Sequence, residues 1–449
     1  MRRIVLLIMA ALVLVTLFGC KPVKKEAATP PTGTTGIPAP GTTAETGPVK
    51  FGFIFELTGN AATFGVSGKQ GAELAVDEIN TAGGVLGRQI EPVWDDNASL
   101  PDQAVKVASK QINQDKVAIV IGSETSSNTI AVAKIAEDAQ VPMVSPAATN
   151  PKVTLNEDGT VRQYVFRACF TDDFQGERIA QFAVMDPIKA KNAVIFYDAD
   201  NDYSVGIYDK VKEVAPGLGL KIVGEDSFLS SSETDFRTKL NKFKGLKFDV
   251  LIVPGYYNQV ALIANQAREL GLKQPLLGGD GFDSPDLWKV AGKNIEGSYF
   301  TNHYASDDKD PAVQNFIAQY KARYGGNVPD AMAILSYDAT KLAADAITRA
   351  GSTDPTAIAK ALAETRDFQA ASGKITIDPQ HNAIKKLVVL RIEPGGQFKL
   401  IHTFEPAGAA PPAGETPAAG EAPAGGEAGA ETPPAGKPGE EAEPKGPTG

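Results

Sequence analysis

Residues 117–149 constrain the fold more than any other stretch, because an apolar strand, a loop of hydroxyl residues, a helix and a second strand follow one another directly. The β-branched run ends at Gly122, and apolar residues then recur at helical spacing. Ser126, Ser127 and Thr129 lie where the helix begins, where unpaired backbone N–H groups and the positive end of the helix dipole face outward. Such a helix start binds anions, although Ser and Thr are also ordinary helix caps.

The same alternation of strand and helix continues on both sides of this stretch. Strands are predicted at 49–55, 90–94, 142–145, 193–197, 220–223, 250–253 and 275–277, helices at 68–80, 101–111, 205–214, 236–243, 259–270, 310–324 and 331–350, and a closing hairpin at 386–391 and 398–401. This βαβ repetition predicts an α/β fold with two doubly wound parallel sheets. Ligands of such sheets bind beyond the carboxyl ends of the strands.

The two ends of the chain differ in composition from the region between them. A basic start and an apolar run at 4–18, too short to span a bilayer comfortably, predict an export signal. Gly19 followed by Cys20 resembles a bacterial lipoprotein cleavage box, so residues 1–20 are expected to be the signal and Cys20 the lipid anchor; an unlipidated cut is the alternative. The protein is therefore expected in the cell envelope, held to a membrane by lipid only.

Two further segments have nothing apolar to bury. Residues 21–47 are rich in Pro, Thr, Gly and Ala and are expected to form a flexible tether. Residues 406–449 contain mainly Ala, Pro, Gly and Glu and are expected to be a disordered tail. Between them, 49–405 is longer than one core usually grows, so two lobes are expected.

Charge and cysteine count narrow the class of protein. The formal net charge of -10 argues against a nucleic-acid partner. With Cys20 assigned to the anchor, Cys169 is the one cysteine left, so the fold is expected to rest on apolar burial without an internal disulfide.

Several patterns suggest a metal or catalytic site and then fail in detail. Asp198, Asp200 and Asp202 have the spacing of a calcium loop, but Tyr203 stands where that loop needs Gly and a strand precedes it. The histidines are far apart in the sequence, without metal-binding spacing: His303, His381 and His402. The sequence therefore predicts neither a metal, a cofactor nor an enzyme.

Polar and aromatic residues follow the predicted strands of the second half. Tyr203, Tyr256 and Asp280 each come shortly after a strand, on the side of the sheet that a ligand cleft would use. An acid opposite an anion site suits a zwitterion. Taken singly, Asp280 in a Gly-rich turn is also explained by turn formation, and the tyrosines by loop packing.

Fragments along the whole region resemble one family. They are Gly71-Ala72-Glu73-Leu74-Ala75, Asn80-Thr81-Ala82-Gly83-Gly84, Asp95-Asp96, Val120-Ile121-Gly122, Ser145-Pro146-Ala147-Ala148-Thr149, Gln266-Ala267-Arg268 and Tyr337-Asp338-Ala339. Their order over 49–405 resembles the solute receptors of branched-chain amino acid ABC transporters, the leucine/isoleucine/valine-binding proteins. The resemblance implies a type I periplasmic-binding fold whose chain crosses between two lobes three times, with lobes at 49–168 plus 303–371 and at 169–302 plus 372–405.

The resemblance also implies the roles of individual residues. By this resemblance, Ser126, Ala147 and Thr149 bind the carboxylate of the amino acid. Asp280 receives its ammonium group, at a position where amino-acid receptors usually have Glu. The aromatic walls fall on three residues: Phe64, Tyr203 and Tyr256. Phe64 stands where some relatives have Tyr and so offers only apolar contact.

The expected function is capture of a small aliphatic amino acid by a monomer and its delivery to ABC permease subunits, without a cofactor. A receptor of the same fold for an amide, urea-like or aromatic carboxylate ligand is one alternative. A sensory protein that signals to a membrane kinase or chemoreceptor is another.

Overall fold

A five-stranded parallel sheet forms the first half of the protein; the computed structural model describes residues 47–406. Its strands are β1 (Val49–Phe55), β2 (Ile90–Asp96), β3 (Ile119–Gly122), β4 (Met143–Ser145) and β5 (Val165–Arg167), and its helices are α1 (Ala62–Thr81), α2 (Pro101–Lys110) and α3 (Ser126–Asp138). The order β2-β1-β3-β4-β5 places β1 inside the sheet, and β2 and β3 flank it. The strand order thus reverses between β1 and β3, which opens a crevice at their carboxyl ends.

Helix α1 begins six residues earlier than the sequence predicts. A start at Gly68 was expected from an apolar face that first appears at Ala72, but α1 begins at Ala62. A side chain at Gly65 would collide with the backbone of Glu56, and one at Gly68 with the carboxylate of Glu124. These glycines are therefore explained by the close approach of α1 to the edge of the first sheet.

A second sheet follows in the chain and repeats the architecture. It contains β6 (Asn192–Asp198), β7 (Lys221–Phe228), β8 (Val250–Ile252), β9 (Leu276–Gly278) and β10 (Tyr299–Asn302), with α4 (Asp172–Val184), α5 (Asp202–Val214), α6 (Arg237–Asn241), α7 (Tyr257–Glu269) and α8 (Pro285–Ala291). These five strands are parallel, in the order β10-β9-β8-β6-β7. Together the sheets confirm the predicted α/β fold with two doubly wound sheets.

The chain then returns to the first sheet before it ends on the second. The remaining elements are α9 (Pro311–Arg323), α10 (Ala331–Ala350), α11 (Pro355–Ala363), β11 (Phe368–Ala370), β12 (Gly373–Ile377), β13 (Ala383–Ile384), β14 (Leu387–Ile392) and β15 (Phe398–Phe404). Helix α10 packs along α1, and its Leu342 and Ala343 share a core with Phe51 and Phe53 of β1. Strands β14 and β15 form an antiparallel hairpin beside β10, as predicted.

This path crosses between the two sheets three times. The first crossing lies between β5 and α4, the second between β10 and α9, and the third between β13 and β14. Ile375 and Ile377 of β12 and Ala383 of β13 lie in the core of the first sheet. The third crossing therefore comes after β13, later than the expected boundary at 372.

Some expectations fall outside the described residues or concern single side chains. The signal segment, Cys20 and nearly all of the tether and tail belong to the parts of the chain that the structure does not describe. Cys169 is a free and fully buried thiol. Between residues 47 and 406, no helix combines the length and the apolar character needed to cross a membrane.

Candidate ligand-binding site

The loop that leads from β3 into α3 is held from behind by a buried acid. Glu56, directly after β1, accepts hydrogen bonds from the backbone N–H groups of Glu124 (3.1 Å) and Thr125 (3.2 Å) and from the side chains of Thr125 (2.7 Å) and Asn128 (2.9 Å). The side chain of Thr125, the N-cap residue of α3, makes no capping bond among the described residues. Capping by the N-cap hydroxyl therefore does not account for this cluster, and Glu56 instead fixes the loop that leads into α3.

The hydroxyl residues at the start of α3 have separate partners. Ser126 is buried and its hydroxyl accepts the backbone N–H of Asn150 (3.3 Å). The Thr129 hydroxyl donates to the carbonyl of Ser123 (2.9 Å), and Ser127 lies beside Asp202. Ser126 is thus the member of the cluster that faces the second loop of the site.

That second loop follows β4 and is braced by a buried cation. Arg167 donates to the carbonyl oxygens of Ala148 (2.9 Å) and Asn150 (2.8 Å), on either side of Thr149. Ala147 and Thr149 are buried, and the hydroxyl of Thr149 has no hydrogen-bond partner within residues 47–406. A rigid loop therefore presents one unused hydroxyl.

Asp280 lies opposite these loops, directly after β9, and is 2% exposed. Its backbone N–H donates to the side-chain oxygen of Gln175 (2.8 Å), which also accepts the hydroxyl of Thr301 (2.6 Å). Its Oδ2 lies 2.9 Å from Nε2 of His303. Its Oδ1 has no hydrogen-bond partner in the described part of the chain. One oxygen is held in place and the other is unused.

A second acid, Asp172, was not anticipated from the sequence. It is the first residue of α4, it is fully buried, and neither carboxylate oxygen has a hydrogen-bond partner in residues 47–406. Burial raises the pKa of Asp172 well above its usual value, and the charge of Asp280 raises it further. The neighbouring Thr149 hydroxyl acts to lower the pKa. Asp172, Asp280 and Thr149 therefore lie close together.

Three aromatic rings form a continuous wall beside these groups. Tyr203 stacks on Tyr256 at a ring distance of 5.1 Å, and Phe64 of the first lobe meets Tyr256 edge-on at 5.5 Å. The Tyr203 hydroxyl accepts the backbone N–H of Gly281 (3.0 Å), directly after Asp280. Burial raises the pKa of Tyr256, whereas a hydrogen bond from the backbone N–H of Ser126 lowers it. The structure thus places the seven predicted ligand-binding residues around the cleft between the two sheets.

The residues missed by sequence reasoning are mainly those that support the site. They are Glu56, Arg167, Asp172, Gln175 and His303. Helix α4 was not predicted at all, so Asp172 and Gln175 had no assigned place, although Thr171 before a pair of acids is a helix-start signal. Thr171 does cap α4, accepting the N–H of Phe174.

The three aspartates with calcium-loop spacing form hydrogen bonds within the protein. Asp198 and Asp200 accept the backbone N–H of Ser230 at 3.1 Å each. Asp202 accepts the Ser127 hydroxyl (2.9 Å) and bonds Lys152 (3.0 Å), both on the first lobe. Within residues 47–406, no group of His, Cys, Asp and Glu has the arrangement of a metal site.

The geometry therefore describes a two-lobed protein with polar groups that face one another between its lobes. Hydroxyl groups lie on one side, and two acids lie on the other. This is the arrangement of a type I periplasmic-binding protein.

The comparisons with known proteins agree with this class. The family described as "Periplasmic binding protein" matches residues 48–397, so the chain belongs to that family. The chain is 33% identical over 331 residues to a Leu/Ile/Val-binding protein homolog of Brucella melitensis, covering 73% of this chain and 86% of the relative.

Two solved structures extend the likeness to three dimensions. The leucine-binding protein LivK of Thermotoga maritima has a TM-score of 0.75 and 37% identity, and the match covers 80% of this chain and 99% of that one. LivJ of Streptococcus pneumoniae, a branched-chain amino acid transporter substrate-binding protein in complex with isoleucine, has a TM-score of 0.73 and 35% identity, covering 79% and 98%.

Proposed function

We propose that this protein captures a small aliphatic amino acid between its lobes and delivers it to an ABC permease. The single observation that carries the proposal is the set of buried oxygens without partners, on Asp172, Asp280 and Thr149. Buried carboxylate oxygens without partners are costly, and the free energy is recovered when a ligand supplies donors. The similar proteins are named for leucine, isoleucine and valine, which supports the same ligand class.

The unpaired oxygens match the ammonium group of an amino acid. An ammonium group has three N–H donors, and one oxygen of Asp280, the carboxylate of Asp172 and the hydroxyl of Thr149 offer acceptors. The carboxylate of the ligand would then face Ser126, Ala147 and Thr149, where backbone N–H groups and hydroxyls meet. Hydrogen bonds to charged groups contribute roughly 1.5–3 kcal/mol each, so the head group would dominate affinity.

The aromatic wall supports an apolar ligand side chain. Phe64, Tyr203 and Tyr256 surround the remaining space, and the Tyr203 hydroxyl is already engaged by Gly281. Each buried methylene adds only about 0.8 kcal/mol, so leucine, isoleucine and valine would differ modestly in affinity.

Amide, urea-like and aromatic carboxylate ligands fit this chemistry less well. An amide or urea-like ligand offers N–H donors but no positive charge to pair with the two acids, and an anion such as benzoate would place a further negative charge beside them. Arg167, the nearby buried cation, already bonds two carbonyl oxygens of the second loop. A sensory role would use the same pocket and differ in its membrane partner.

Several further proposals accompany the binding role. The protein is proposed to be an exported monomer, anchored through Cys20, without catalytic activity or a cofactor. Its lobes are proposed to be 49–168 plus 303–384 and 169–302 plus 387–405, with the final boundary placed after β13 because β12 and β13 pack with the first sheet.

A thermal-shift screen tests the function directly. Residues 21–449 are unfolded, freed of bound ligand, refolded and heated with each of the common amino acids, with amides and with benzoate. A ligand at a hundred times its Kd adds about 2.7 kcal/mol of stability. We expect leucine, isoleucine or valine to raise the Tm. Neither 4-methylpentanoate, which lacks the ammonium group, nor 3-methylbutylamine, which lacks the carboxylate, should do so at equal concentration. A shift with benzoate or amides alone would overturn the proposal.

A further inference from the structure

The three crossings between the lobes meet at one histidine. His303 follows β10 directly, in the second crossing, and is fully buried. Its ring stacks on Phe170 of the first crossing, with 3.8 Å between ring centres and 17° between planes. Lys385, buried in the third crossing, lies near enough to act on the pKa of His303. The imidazole is therefore fixed by the segments about which the lobes would move.

The same ring reaches into the ligand-binding site. Its Nε2 lies 2.9 Å from Oδ2 of Asp280, and its Nδ1 has no hydrogen-bond partner among residues 47–406. Burial lowers the pKa of His303, in opposition to the hydrogen bond with Asp280, which raises it. Burial thus favours the neutral ring, and a neutral imidazole with its proton on Nε2 donates that proton to Asp280.

The backbone beside this histidine is tied to the first lobe as well. The Asn302 side chain donates to Asp283 (2.8 Å), and the same Asp283 oxygen accepts the backbone N–H of Ala331 at the start of α10 (2.8 Å). The Asn302 side-chain oxygen in turn accepts the N–H of His303 (2.9 Å). The position of the imidazole therefore depends on contacts from both lobes.

We propose that His303 is a positioning residue for ligand recognition: its Nε2–H donates to Oδ2 and orients the Asp280 carboxylate, so that Oδ1 receives the ligand's ammonium group. This inference rests on the proposed function, because it assumes that Asp280 meets an ammonium group.

Two substitutions separate this role from packing. His303→Phe keeps a ring for Phe170 to stack on and removes the donor. His303→Gln removes the ring but retains an N–H donor near the position of Nε2. If the ring matters only for packing, His303→Phe should reduce the affinity for the ligand less than His303→Gln does. If the hydrogen-bond donor matters, His303→Gln should reduce it less.

The experiment is isothermal titration of the refolded protein with leucine at pH 7. We expect His303→Phe to weaken binding roughly 10- to 100-fold, the value of a hydrogen bond to a charged group, and His303→Gln to stay within about threefold of wild type.

A double-mutant cycle completes the test. In an Asp280→Ala background, His303→Phe should have no further effect on the residual affinity. Wild-type affinity in His303→Phe, with a Tm within a few degrees of wild type, would overturn the inference and leave the proposed function standing. Absence of amino-acid binding in the wild-type protein would instead overturn the proposed function. If His303→Phe does not fold, His303→Gln with wild-type affinity supports the inference, and a loss equal to that of Asp280→Ala contradicts it.

Discussion

The two walls of the cleft are prepared for a ligand to different degrees. On the first-lobe wall, Glu56 accepts three hydrogen bonds from the loop before α3 and one from Asn128 in its first turn, and Arg167 braces the loop after β4. On the second-lobe wall, Asp172 has no hydrogen-bond partner and Asp280 has one free oxygen, among the described residues. The first wall is rigid without a ligand, whereas the second is unsatisfied until a cation arrives.

This difference explains how binding and closure are coupled. A ligand whose ammonium group meets the second wall and whose carboxylate meets the first binds the closed arrangement better than the open one. Such differential affinity is what shifts the equilibrium between the two. The cost of two unpaired acids in the empty closed form works in the same direction, because it disfavours closure without ligand.

The largest effect is expected from removing the acid of the second wall. Asp280→Ala should weaken leucine binding roughly 100-fold or more, since breaking a buried pair costs about 3–5 kcal/mol. Titration calorimetry measures this, with Asp235→Ala on the exposed surface of the same lobe as a matched control. Unchanged affinity in Asp280→Ala would contradict the view that the acids of the second wall drive ligand binding.

Asp172→Asn is expected to give the next largest effect: it should weaken ligand binding but stabilise the empty protein. Affinity should fall roughly tenfold, because a charge-assisted hydrogen bond is lost. The pKa of Asp172 is raised in the folded protein, so its folded state binds the proton more tightly and stability falls as pH rises above about 3.8, the ordinary value.

An asparagine does not ionise, so the Asp172→Asn variant should not lose stability in this way as pH rises. Without ligand it should melt at a higher temperature than wild type at pH 8, and the difference in Tm should narrow towards pH 4. Calorimetric melts across this range measure it, with the neighbouring exposed Asp173→Asn as control. A lower Tm at pH 8 would mean that Asp172 is satisfied in the empty protein.

A change in the first wall should have a smaller effect. Thr149→Val removes one hydroxyl from a loop that Arg167 still holds, and a neutral hydrogen bond contributes about 0.5–1.5 kcal/mol. We expect affinity to fall about 2- to 10-fold in titrations, while the exposed Thr160→Val has no effect. A loss as large as that of Asp280→Ala would show that the two walls contribute equally.

The smallest effect concerns the contact between the walls at the cleft edge. Asp202 of α5 bonds Ser127 and Lys152 across the cleft, and its carbonyl accepts Asn150 at 2.7 Å. Asp202→Asn should weaken binding about 1.5- to 5-fold at low salt and less at high salt, as an exposed ion pair does. Asp226→Asn removes an ion pair with Lys242 inside one lobe and is the matched control. Equal salt dependence in both variants would contradict a role for Asp202 in closure.

Much of the fold follows from periodicity, and the exceptions have physical reasons. Strand β1 and the closing hairpin match their predicted residues closely, because apolar runs there are bounded by turn residues. Strands β5 and β10 were missed because they have three and four residues, too few for a period to appear. Helix α1 was predicted too short because the apolar face used to place it first appears at Ala72.

The site was predictable only where its residues follow strands. Tyr203 and Asp280 were found because ligands bind beyond strand ends, and the structure places both at the cleft. Asp172 and His303 were missed for different reasons: α4 had no assigned place, and His303 was considered only as a metal ligand. Long-range partnerships such as Glu56 with Asn128 leave no trace in local spacing.

The glycines of α1 limit how the pocket for the ligand's side chain can be redesigned. Phe64 lies on the first turn of the helix that Gly65, Gly68 and Gly71 allow to lie against β1, the Glu124 loop and α10. Any larger residue at these three positions would lift the helix and carry the aromatic ring into the cleft. Enlarging the pocket by replacing Phe64 is therefore practical, whereas enlarging it by moving α1 is not, since the helix has no room to retreat.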